Sequence, residues 1–193
     1  LALSAGSALA AVSPQEAAKL GTTLTPFGAE KAGNAAGTIP AWTGGITKPP
    51  ASYTKPGQHH PDPFAGDKLL YTITKANMDQ YKANLTPGVM ALFNAYPNSF
   101  KVPVYQTRRS GSAPKWVYDN TAKNAVTAKL VEGGNGFVDA FGGIPFPIPQ
   151  NGVEALWNHV ARYRGEFVVR RATEVAVQRH GAYNPVTSQQ EVL

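Results

Sequence analysis

From Thr22 to Gly66 the chain shows neither a helical nor a strand period. Gly, Pro, Thr and Lys dominate there, and Phe27, Trp42, Tyr53 and Phe64 stand isolated among them. Such a segment has too few apolar groups to offset its own ordering entropy. It is expected to lie as an extended arm, residues 11–66, pinned to another surface by its aromatics. Ahead of it, Ser13-Pro14-Gln15-Glu16 reads as a helix start: Ser caps, Pro fills the first turn, and Glu completes a capping box. That helix is predicted to be short and to stop at Gly21.

Later in the chain the pattern becomes periodic. KANMDQYKANL after Thr74 reads as a helix capped by Thr74. Thr86-Pro87 opens a second helix carrying Val89, Met90, Leu92, Phe93 and Tyr96, which Pro97 ends. The two make a helical hairpin with its apolar stripe in the core. Beyond Lys101 the period shortens. KVPVYQT, KWVY and AVTAKLV alternate or run apolar over strand lengths, which predicts strands. On that reading Trp116 and Tyr118 share one strand face, and Val126, Ala128 and Leu130 share another.

GGIPFPIPQNGVEALWNH follows, Gly142 to His159. Pro145, Pro147 and Pro149 cannot donate to a sheet ladder, so Ile144, Phe146 and Ile148 sit on an extended, polyproline-like strip. Asn151 caps the next helix, with Glu154 three residues on. Val153, Leu156, Trp157, Val160 and Tyr163 trace one stripe along it, and Arg162, Arg164 and Gly165 mark its end. EFVVRRATEVAVQR then predicts a strand with Phe167, Val169, Val175 and Val177 on one face. His180-Gly181 is a turn, and YNPVTSQQEVL the returning strand. The fold class is α+β. A strand pair at the terminus leaves an open edge, so the chain is expected to be cut from a longer protein at both ends.

Composition narrows the function classes. There are 193 residues, 42% hydrophobic and 16% charged, with 19 Gly and 16 Pro. The absence of Cys excludes disulfide scaffolds, zinc ribbons and thiol catalysis. LALSAGSALAAVS is apolar and small, with Ala8 and Ala10 spaced like a signal-peptidase site. Residues 1–10 are therefore expected to be a signal-peptide remnant and the protein to be periplasmic. No stretch of 18 apolar residues follows, so no membrane-spanning helix is expected. The net charge of +6 is dispersed in short basic pairs such as Arg108-Arg109 and Arg170-Arg171. Nucleic acid is not an expected partner, since no long basic run or reader motif is present.

The titratable clusters are weak signals. His59, His60 and Asp62 could hold a metal, but adjacent side chains on an extended loop point apart. His159 reads as a structural, hydrogen-bonded histidine, and Asp119 as a turn residue in YDNT. Glu132 and Asp139 flank GGNG without any further glycosidase signal. There is no nucleophile elbow, P-loop or dinucleotide fingerprint, so no catalytic residue, metal or cofactor is assigned.

LTPFGAEKAGNAAGTIPAWTGG (Leu24–Gly45), WVYDNTAKNAVTAKLVEGGNG (Trp116–Gly136) and GGIPFPIPQNGVEALWNHVARYRG (Gly142–Gly165) resemble the proteobacterial secreted family called domain of unknown function 1329. Its members are often labelled outer-membrane lipoprotein-sorting proteins. The resemblance implies a LolA-like fold: a strongly curved antiparallel sheet, an incomplete barrel, whose concave face holds acyl chains under helices. On that basis residues 67–193 are expected to supply the helical hairpin, first strands and helix of an incomplete LolA-like domain. The family's genes often neighbour an RND-type exporter and an outer-membrane barrel protein, so those are the implied partners. The expected function is a periplasmic, non-enzymatic carrier or binding protein for a lipid-like or other hydrophobic molecule, associated with the outer membrane or with envelope transport. Two alternatives stand beside it: a structural adaptor that binds no ligand, and a secreted hydrolase. Trp116, Tyr118, Ile144, Phe146, Ile148, Trp157, Phe167 and Val169 are the candidate groove or lid residues, with the proline strip closing one mouth of the barrel.

Overall fold

The computed structural model describes residues 12–192, so the expected signal-peptide remnant, residues 1–10, lies outside the described residues. The chain divides into two compact units. Of the described residues, one comprises 12–22, Pro26–Ala29 and 113–192; the other comprises Thr23–Thr25 and Glu30–Ser112.

The second of these is built on a small antiparallel ladder. Strand β1 (Tyr71–Ile73) pairs with β2 (Val102–Val104), with Tyr71 opposite Val104 and Ile73 opposite Val102. Pro103 is tolerated because a two-stranded ladder leaves one strand edge without partners. Between the strands run a 3-10 helix, Met78–Asn84, and helix α2, Pro87–Ala95. The expected caps hold in part. The Thr86 hydroxyl accepts the Val89 N–H at 3.3 Å, as predicted. The first helix, however, starts at Asn77, whose side-chain oxygen accepts the Thr74 N–H at 2.7 Å. Ile73, Met78 and Phe93 form the core, and Phe100 meets Phe93 edge-on at 4.8 Å. Leu92 and Tyr96, which share the predicted stripe, are exposed.

The rest of this unit, 30–66, is irregular, and side chains join main-chain turns in satisfying its carbonyls. The Arg109 guanidinium donates to the carbonyls of Glu30 (2.5 Å), Lys31 (3.2 Å), Ala32 (3.3 Å) and Pro40 (3.3 Å). Trp42 Nε1 donates to Gly111 O at 2.9 Å, one of the aromatic anchors expected here. Arg108 grips Asp67 through two nitrogens, at 2.9 and 2.5 Å, and lies over the Phe64 ring at 5.4 Å. This two-toothed hydrogen bond holds the Asp67 carboxyl below the ordinary carboxylate value.

The other unit carries helix α1 (Pro14–Ala17), whose Ser13 hydroxyl accepts the Glu16 N–H at 3.2 Å. Helix α3 (Lys115–Thr127) follows, then the short ladder β3 (Lys129–Leu130) with β4 (Phe137–Val138), helix α4 (Gly152–Val160), and the hairpin β5 (Val168–Val177) with β6 (Tyr183–Val192). Helix α3 corrects the sequence reading, which put a strand at KWVY, a turn at YDNT and a strand over AVTAKLV, of which only Lys129–Leu130 is strand. Its buried positions are Val117, Thr121, Asn124 and Ala125, with Ala128 just beyond, a helical repeat carried by small and polar residues. Those residues hide the period from a hydrophobicity count, while exposed Trp116 and Val126 mimic a strand. The strand faces drawn there do not exist. Trp116 and Tyr118 diverge by about 200° around the helix axis, and Asp119 pairs with Lys115 one turn back at 2.7 Å.

The hairpin was legible: both strands and the turn at His180-Gly181 lie where predicted. The mixture of helices and antiparallel strands is α+β. Among the described residues the strands form three separate two-stranded ladders, and no closed barrel.

Candidate functional site

The proline strip follows β4 and leads into α4. It lies directly on α3: a Cβ at Gly143 would come within 2.7 Å of Val117 O and collide with Thr121 Oγ1. Gly143 also has φ 72°, a region that favours glycine. Because the prolines lack N–H groups and no strand among the described residues pairs with the strip, side chains complete its hydrogen bonds. Thr121 Oγ1 accepts the Ile144 N–H at 3.0 Å and donates to Val117 O at 2.7 Å. Asn124 accepts the Phe141 N–H at 3.1 Å and donates to Gly142 O at 2.9 Å and Ile144 O at 3.2 Å. Asn158 on α4 accepts the Phe146 N–H at 2.8 Å and donates to Phe146 O at 2.6 Å. Sequence reasoning missed these three residues: Thr121 and Asn124 lie on α3, in a stretch read as strands joined by a turn, and Asn158 lies on the helix it did predict.

Helix α4 is fixed at its start by the predicted capping box. Asn151 Oδ1 accepts the Glu154 N–H at 3.0 Å, and the buried Glu154 carboxylate accepts from Gln150 N–H at 2.6 Å and Asn151 Nδ2 at 3.1 Å. Trp157 Nε1 donates to Gly134 O at 2.9 Å.

The eight candidate groove residues separate into groups. Phe146 is only 7% exposed, and Phe137 lies edge-on to it at 6.0 Å and to Trp157 at 5.5 Å. Ile144, Ile148 and Trp157 are half-buried around that cluster. Trp116 instead meets Tyr163 edge-on at 5.6 Å, and its Nε1 donates to Glu166 at 3.2 Å. Tyr118 packs on Phe27 at 5.1 Å, the second expected aromatic anchor, and its hydroxyl accepts the Ala113 N–H at 2.7 Å. Phe167 and Val169 stand exposed at the base of the hairpin. On α4, Val153, Leu156 and Val160 are exposed as a stripe.

No group of three or more metal-ligating side chains is found among the described residues. His60 stacks edge-on against Tyr53 at 5.4 Å, and Asp62 accepts the Phe64 N–H in its own turn at 2.8 Å. His159 is exposed, and its main-chain carbonyl accepts from Arg162 at 2.5 Å. Asp139 pairs with Lys129 at 3.5 Å. No helix among the described residues is long and apolar enough to cross a membrane.

A family model described as "Protein of unknown function (DUF1329)" matches residues 72–193. An uncharacterized protein of Pseudomonas aeruginosa is 52% identical over 186 residues, covering 96% of this chain and 41% of that protein. The chain thus spans less than half the length of this relative. No solved structure matches the chain. The matched region contains α3, the glycine-rich turn, the proline strip with its capped helix, and the hairpin, and by that match the chain belongs to the DUF1329 family of proteins of unknown function.

Proposed function

We propose that this chain is part of a periplasmic, non-enzymatic binding or carrier protein for a lipid-like or other hydrophobic molecule, working with RND-type envelope transport, and that its hairpin belongs to a curved sheet of the LolA type. The observation that carries this reading is the hairpin itself. Phe167 and Val177 are 61% and 73% exposed, and Val169, Val175 and Tyr183 are exposed as well. Pairing sets Val175 opposite Pro185 and Val177 opposite Tyr183, so the apolar side chains near the turn form one patch. A two-stranded hairpin is marginal in water by itself, and such a surface calls for a cover.

An acyl chain suits that cover. Each buried methylene contributes about 0.8 kcal/mol, so a twelve-carbon chain supplies ~10 kcal/mol. Association costs of about 4–15 kcal/mol offset much of this and leave a reversible load, which a carrier requires. In this reading Trp116, Phe167 and Val169 touch ligand. Ile144, Phe146, Ile148 and Trp157 are the rigid support that holds α4 and its exposed stripe.

The test is native mass spectrometry of the full-length protein isolated from its own envelope, alongside a Val177→Asp variant. The expected result is a co-purified lipid in the natural protein that is lost in the variant. A protein that carries no lipid in either form, yet co-purifies with an exporter or outer-membrane barrel, refutes the carrier and identifies an adaptor.

A further inference from the structure

An open cavity of about 540 Å³ lies against α3, away from the hairpin strands and outside the candidate groove residues. We propose that it is a binding site for an amphipathic carboxylate, with Lys123 and Asn120 taking the carboxylate and Phe141 and Val126 taking the apolar body. The volume falls in the range of small-molecule sites.

Residues 120, 123, 124 and 127 share one face of α3 by their spacing of three and four. Two of them are occupied structurally. Asn124 holds the strip, and Thr127 Oγ1 donates to Asp139 O at 2.7 Å. The other two, Asn120 and Lys123, make no side-chain hydrogen bond or ion pair among the described residues, yet line the same wall. The helix fixes the backbone of both donors, so binding an anion orders only their two side chains.

The opposite wall is equally specific. Asn124 Oδ1 holds the Phe141 N–H, and the Phe141 side chain stands 79% exposed at the cavity. Val126 is exposed on the same lining. Asp139 has φ 58°, an uncommon conformation outside glycine; backbone of this kind concentrates at ligand sites. Lys129, 3.5 Å from the Asp139 carboxylate, offsets its charge, so the two together add no net charge to the cavity. Lys123 is then the uncompensated charge of the cavity, and its sign selects an anion. Simple anions would find one cation in open water, where an exposed pair is weak. The adjacent aromatic ring and valine therefore require an apolar body on the same molecule.

The test is calorimetric titration of the full-length protein with decanoate, 2-naphthoate, acetate and decanol. Decanoate or 2-naphthoate should bind at least ten-fold more tightly than acetate and than decanol. A preference between the two binders assigns an acyl or an aromatic body. Lys123→Glu should weaken the carboxylate about ten-fold at low salt, ~1.4 kcal/mol, and Phe141→Ala should weaken it by a similar factor. Lys115→Glu, on the exposed first turn of the same helix, should leave binding unchanged. A diazirine-bearing decanoate should cross-link to peptides containing Val126 or Phe141. Val177→Asp should not alter this binding, whether or not the hairpin carries lipid. Equal affinity in Lys123→Glu, equal binding of acetate, or cross-links confined to the hairpin would overturn the proposal.

Discussion

Replacing Phe146 by Ala separates a sealed support from a moving lid. The ring is 7% exposed, with Phe137 edge-on at 6.0 Å and Trp157 beyond it. Truncating a buried Phe to Ala removes its transfer free energy and leaves a cavity, together about 3–5 kcal/mol. Lost edge-to-face contact is part of that sum, about 0.5–1.5 kcal/mol. Against a typical domain stability of about 5–15 kcal/mol the effect is large. Urea unfolding followed by tryptophan fluorescence reads it directly. With m near 2–3 kcal/mol per M, the midpoint should fall by about 1–2.5 M at unchanged m. Phe146→Leu should lose less than half as much, because most of the volume stays. A loss under ~1 kcal/mol in Phe146→Ala would refute the reasoning. It would mean that the ring leaves protein contact in solution and that the strip opens.

Gly143→Ala should destabilise by about 2–5 kcal/mol in thermal melts, combining the left-handed backbone (φ 72°) with a Cβ forced 2.7 Å from Val117 O. Asn124→Ala should lose about 2–4 kcal/mol by the same measurement, since Phe141 N–H, Gly142 O and Ile144 O all lose their partner. Asn124→Asp should recover only part of that, because it restores the acceptor and not the donors. The Asp67 carboxyl is held below its ordinary value chiefly by the Arg108 hydrogen bond. The stability it contributes is present above the unfolded carboxylate value and lost as pH falls through the lower folded one. In Arg108→Met the carboxyl titration of Asp67, followed by carbon NMR, should move up toward the ordinary value, and an unmoved titration would sink the assignment.

Caps and turns were readable because their chemistry is local. Ser13, Thr86 and Asn151 each cap the helix they were expected to start, and the His180-Gly181 turn joins the two predicted strands. Helix α3 was not readable, because its buried face is Val, Thr, Asn and Ala. Small and polar residues are needed there for the strip's backbone to approach closely, and that requirement comes from a segment about twenty residues later. The candidate site was legible in composition and not in geometry. The strip's apolar side chains announced burial, but which ring meets which depends on α3 being a helix. Asn124 and Asn158 look like ordinary surface amides in sequence, since their partners are main-chain groups that no pattern names.

The amide and hydroxyl side chains that line the proline strip also govern what the protein refuses to join. An extended segment with free N–H and C=O groups is a template on which a stray strand can nucleate. Here the prolines remove donors at alternate positions, and Thr121, Asn124 and Asn158 occupy the groups that remain around Ile144 and Phe146. This apolar run is thereby made poorly receptive to strand addition while still extended. During folding, that leaves the outer edges of the ladders, the ten-residue hairpin strands longest among them, as the places where mispairing starts, and it makes aggregation a question of how soon those edges are covered.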